Sequence, residues 1–161
     1  MNNVEPQAEH KWLGQLVGEW AWEMDASMGP DQPPMKLSGT ESVQSSLGVW
    51  VQCHSNQNTA DGKPALTVMT IGYDTAKKKF VGTFIGSMMT NLWVYEGELD
   101  ASGKVLTLAA DGPNFADPTK TTKYLDKIEV VSPDHRILTS QALGDDGRWH
   151  QFMTSHYRRT G

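Results

Sequence analysis

Apolar and polar side chains alternate with a period of two along most of this chain, most clearly over residues 67–108. Thr67, Met69, Ile71 and Tyr73 fall on one face of a strand, and Phe80 and Phe84 share a face of the next, with Gly82 between them. Trp93, Tyr95, Gly97 and Leu99 share a face of the third, and Leu106 and Leu108 a face of the fourth. Alternation of this kind predicts half-buried strands in an antiparallel meander. The same period extends both ways. Trp20, Trp22, Met24, Ala26 and Met28 alternate with polar residues, a more polar strand covers 37–45, and Val49, Val51 and Cys53 alternate with Trp50, Gln52 and His54. Three further strands are predicted over 124–131, 136–143 and 148–158.

Turn chemistry separates these runs: a Pro-rich loop at 29–34, Asp61-Gly62 within 58–63, Asp100 to Gly103, Ser132-Pro133-Asp134, and Gly144 to Gly147. The longest loop is expected at 111–120, which contains Pro113 and Pro118. Helical spacing occurs only near the start, where Trp12, Leu13, Leu16 and Val17 form one apolar stripe over 8–17. Pro6 suits the entry to that helix and Gly18 its exit. With about ten strands and one short helix as cover, open edges would be left in any flat sheet. The pattern therefore predicts an all-β chain, closed as an antiparallel up-and-down barrel of about ten strands over 19–159. The whole of 1–161 reads as one domain.

Composition narrows the function. The 14 basic and 19 acidic residues give a net charge of −5, which offers no electrostatic footprint for nucleic acid. Lys77 to Lys79 fall in a predicted hairpin tip. No run is long enough for a transmembrane helix, so no membrane insertion is expected. The N-terminal residues lack the basic start and apolar stretch of a signal peptide. The single Cys53 excludes an internal disulfide. Together these features point to a cytoplasmic, bacterial-type protein.

The helix LGQLVGEW, the strands MTIGYD, FVGTFIGSMM and LWVYEGELD, the DGP triplet and the terminal WHQFMTSHYRR resemble the domain-of-unknown-function family DUF1579, a lipocalin-like group of the calycin superfamily. The resemblance spans nearly the whole chain and implies a fold; it carries no established activity. Gly18-Glu19-Trp20 is similar to the Gly-x-Trp that opens the first lipocalin strand. Arg158 or Arg159 resembles the basic residue that packs over that Trp in lipocalins. The chain departs from classical lipocalins in having no helix after the last strand and no cysteine pair. The leading helix and the strand count are closer to the fatty-acid-binding and nitrobindin-like branch.

Three readings of function follow. The first is a barrel that binds a small apolar or amphiphilic ligand without chemistry, contacted by Trp22, Met69, Phe84, Met88, Trp93 and Tyr95. His156 or Arg158 would meet a carboxylate or other polar head if their face is internal. The second is a cofactor-independent lyase or isomerase in which a buried carboxylate works with Tyr95 or Tyr73. Glu23, Glu41, Glu96 and Asp126 all fall on strands, and alternation places strand carboxylates outside by default, which weighs against an enzyme. The third is an interaction module that uses surface Trp50 or Trp149. The nitrobindin-like resemblance would make His156 an axial haem ligand. A strand histidine standing alone more often has a structural or surface role, so no cofactor is expected. No histidine spacing forces a metal site, and His10 and His135 read as surface groups. An exposed edge at the 111–120 loop leaves a homodimer open.

Overall fold

A computed structural model describes residues 1–27 and 32–161. One helix, α1 (Ala8–Gly14), precedes ten strands. They are β1 (Gly18–Ala26), β2 (Met35–Ser46), β3 (Trp50–Gln57), β4 (Ala65–Asp74) and β5 (Lys79–Gly86), then β6 (Trp93–Leu99), β7 (Val105–Pro113), β8 (Thr121–Ser132), β9 (His135–Leu143) and β10 (Trp149–Arg159). Each strand is antiparallel to its neighbours in sequence, and β1 pairs with both β2 and β10. The sheet therefore closes into a ten-stranded up-and-down barrel. Among the described residues, no helix is long and apolar enough to cross a membrane.

Side chains at every second position point inward, as the period of two requires. One half of the interior is solid. Trp20, Val43, Val51, Ile71, Phe80 and Leu106 are almost wholly buried, and Leu13 and Leu16 close that end from outside the sheet. α1 is fastened there by Trp12, whose Nε1 donates to the Gly103 carbonyl at 2.7 Å. His10 is buried rather than at the surface. It accepts from the Gln7 amide at 2.9 Å and turns its Nε2 to the Tyr73 carbonyl at 3.1 Å.

The helix stops at Gly14 rather than continuing to residue 17, because the next turn tightens. Leu16 and Val17 bond back three residues, to Leu13 and Gly14, at 3.0 and 3.2 Å. Gly18 then takes φ +137°, a conformation open to glycine, and leads into β1. The expected loop at 111–120 is shorter than its prolines imply. Asp111, Gly112 and Pro113 remain in β7, opposite Lys123, Thr122 and Thr121. Pro113 is tolerated because it is the last residue of its strand. Closure of the sheet leaves no free strand edge there. Met28 and residues 29–31 of the Pro-rich loop lie outside the described residues.

Candidate functional site: a cavity in the open half of the barrel

Beyond the solid half lies a cavity of about 530 Å³. Its wall is built in layers by the inward positions of successive strands. Trp22 and Met24 of β1, Leu37 of β2 and Met69 of β4 form one side. Phe84 of β5, Trp93 and Tyr95 of β6, and Tyr124 of β8 form the other. Met88, Met89 and Phe115 reach it from the β5–β6 and β7–β8 connections and, with Met35, make a half-exposed apolar rim. Flexible thioethers at a rim adapt to irregular shapes.

Two glycines seat the two cavity tryptophans. A Cβ at Gly39 would collide with the Trp22 indole, and one at Gly112 with the Trp93 indole. Trp93 then packs edge-on against Tyr124 at 5.0 Å, and its Nε1 donates to the Met89 sulfur at 3.1 Å. Phe115, Tyr124 and Phe152 form an aromatic cluster beside them, at 5.3 to 6.2 Å between ring centroids.

Among the described residues, one carboxylic acid faces the cavity. Asp126 Oδ2 accepts from the Tyr95 hydroxyl at 2.5 Å, and Oδ1 accepts from the Ser140 hydroxyl at 2.6 Å. Burial pushes the Asp126 carboxyl above its ordinary range, and the two hydroxyl donors oppose that shift in part. Burial also pushes the Tyr95 phenol up, reinforced by the charge of Asp126. A phenol so perturbed stays protonated and serves as a donor.

Next to the cavity, within the solid half, Arg136 forms an ion pair with Glu41, both buried. The Arg136 guanidinium lies 3.9 Å from the Tyr157 ring centroid and 4.7 Å from that of Trp20, and its Nε has no hydrogen-bond partner. Arg159 covers Trp20 at 4.3 Å and caps the end of the helical segment, donating to the Val17 and Gln15 carbonyls at 2.6 and 2.9 Å. Of the two arginines weighed for that place, it is therefore Arg159 that stands over Trp20.

Trp22, Met69, Phe84, Met88, Trp93 and Tyr95 all line the cavity. His156 and Arg158 do not. Both are exposed on the outer face of β10, where His156 stacks on His135 with Nδ1 and Nε2 3.0 Å apart. The cause is a bulge in β10 between Gln151 and Met153. It brings Phe152 and Met153 together into the cavity wall and turns Thr154, His156 and Arg158 outward. No histidine lines the cavity among the described residues, so His156 does not provide an axial haem ligand inside the barrel.

The default outward placement of strand carboxylates holds for Glu23 and Glu96 and fails for Glu41 and Asp126. A signal for both was available. Asp126 shares parity with Tyr124, Ile128 and Val130, and Glu41 with Gly39 and Val43. Phe115 had no such signal, because it lies in a loop. Trp50 lies over Gly72 on the outer face. Cys53 is buried, and its thiol is pushed up by burial.

The family described as "Protein of unknown function (DUF1579)" matches residues 5–159. Comparison with curated protein sequences finds no match. Among solved structures, the chain is similar to Rv2717c from M. tuberculosis, at 13% identity and TM-score 0.67, over 98% of this chain and 100% of that one. It is also similar to the S-type phycobiliprotein lyase CPES from Guillardia theta, at 10% identity and TM-score 0.62, over 96% and 94% of the two chains. Identities this low carry the barrel fold and nothing finer.

Proposed function

The chain belongs to the DUF1579 family, and we propose that it holds one small amphiphilic molecule inside its barrel. The observation that carries this reading is the combination of a mostly apolar cavity of about 530 Å³ with a few polar groups on its wall, foremost the hydrogen-bonded Asp126–Tyr95–Ser140 cluster. A cavity of this size, mostly apolar with a few placed polar groups, has the character of a small-molecule site. Trp22, Met69, Phe84, Met88 and Trp93 would contact the apolar body, and Tyr95 the polar end. Native mass spectrometry of freshly purified protein tests this. A discrete added mass, lost on denaturation, is expected. A clean apo mass that stays unchanged when small apolar compounds are added would contradict it.

A second reading is supported by the short Tyr95–Asp126 contact. A buried carboxyl with a raised affinity for its proton, beside a phenol, is the equipment of a cofactor-independent isomerase or lyase. A barrel of similar shape belongs to a lyase in Guillardia theta. Incubating the extracted ligand with the protein in deuterated water separates the two. Deuterium incorporated into carbon-bound positions with wild type, and not with Asp126→Asn, is the signature of chemistry.

A further inference from the structure

Resting on the ligand-binding reading, we infer that the bound molecule presents a cationic nitrogen on its apolar body, as an aliphatic amine or a protonated nitrogen heterocycle does, and not a carboxylate or phosphate. The lining of the cavity is one-sided in charge. Among its described lining residues there is no Lys, Arg or His. The one carboxylic acid among those residues is Asp126, whose partners Tyr95 and Ser140 are neutral hydroxyls that solvate the carboxylate without cancelling its charge. Each carboxylate oxygen keeps a further lone-pair site beyond the hydroxyl it accepts.

An anionic head in this cavity would face a carboxylate with no counter-charge, in surroundings that screen poorly. Arg136 offers no remedy. It is not part of the cavity wall, and its guanidinium is committed to Glu41 and packed on Tyr157 and Trp20. A cation meets the opposite conditions. It supplies the charge that Asp126 is missing and favours the ionised form that burial disfavours. It also enters a space walled by the faces and edges of Trp22, Trp93, Tyr124, Phe152 and Tyr157. Aromatic faces attract cations electrostatically, most strongly when water is excluded. The expectation that Arg158 or His156 grips a carboxylate head is therefore reversed in sign: the cavity carries an acid where a base was anticipated.

Three probes of nearly equal shape test the inference: 1-naphthylmethylamine, 1-naphthalenemethanol and 1-naphthoate. Each is titrated calorimetrically at pH 7 into wild-type protein and into Asp126→Asn. The amine is expected to bind about tenfold or more tighter than the alcohol, the gain of one charge-assisted hydrogen bond, and the carboxylate weakest of all. In Asp126→Asn the amine should lose its advantage over the alcohol. Naphthoate binding as tightly as the alcohol would overturn the inference while leaving the ligand-binding reading intact. So would an amine preference that survives in Asp126→Asn. Failure of all three, the neutral alcohol included, would instead contradict the ligand-binding reading itself. If Asp126→Asn does not fold, the order of the three affinities in wild type still decides.

Discussion

The Tyr95 hydroxyl on β6 donates to Asp126 Oδ2 on β8 at 2.5 Å, reaching past β7 across the inside of the barrel. The contact joins residues 31 apart in the chain and places a carboxyl on the wall of a mostly apolar cavity. A buried carboxyl is tolerable there only because each of its oxygens meets a hydroxyl donor.

The pH dependence of stability should report this burial. A carboxyl whose affinity for its proton is raised in the folded state binds more protons folded than unfolded. Its contribution to stability is therefore present at low pH and declines as pH rises from its ordinary value of 3.8 through the higher folded value. Asp126→Asn removes that decline. The stability of the variant relative to wild type should shift in favour of Asn across this window, as measured by urea unfolding at several pH values. A difference that does not vary with pH would show that the Asp126 carboxyl is not perturbed.

The buried Arg136–Glu41 pair makes a prediction about non-additivity. Arg136→Met alone strands a buried Glu41 and should cost about 3–5 kcal/mol in chemical denaturation. Combining it with Glu41→Gln should recover a large part of that loss, since no unpaired charge then remains. Additive losses in the double mutant would mean that the two side chains are not coupled.

Arg159 connects the barrel's last strand to the end of the helical segment through two carbonyls and the Trp20 face. Arg159→Ala should cost about 2–3 kcal/mol, the scale of charged hydrogen bonds. Arg159→Lys should recover less than half of this, because an ammonium does not reproduce the planar fork. Unfolding midpoints measured in urea check both variants.

Cys53 should be inert while the protein is folded. Its thiol is buried and disfavours the thiolate, which is the reactive form. A colorimetric thiol assay is expected to register no fast labelling in buffer and one equivalent in denaturant. Fast labelling of the folded protein would contradict the described burial.

Much of this architecture is legible in the alternation of the chain. The strands whose inward faces could be read, from Thr67 to Tyr73 and from Trp93 to Leu99, are regular and apolar on one side. What escaped has physical causes. The β10 bulge reverses which residues face inward, so that parity counted along the strand misplaces His156 and Arg158. Pro113 reads as a loop residue from sequence alone, yet it is the last residue of a strand. Asp126 and Glu41 share parity with inward apolar neighbours, but the partners that make their inward placement tolerable, Tyr95, Ser140 and Arg136, are distant in the chain.

The claim that the open half of the barrel is a binding site is tested most directly with a neutral apolar fluorophore. N-phenyl-1-naphthylamine would be titrated into wild-type protein and into Thr67→Trp, which places an indole in the cavity wall. Excitation at the tryptophan band reads transfer from Trp22 and Trp93, which line the cavity. Saturation at one probe per chain is expected in wild type, with loss of that binding in Thr67→Trp at unchanged fold. Absence of saturable binding in wild type, or equal binding by the plugged variant, would contradict it.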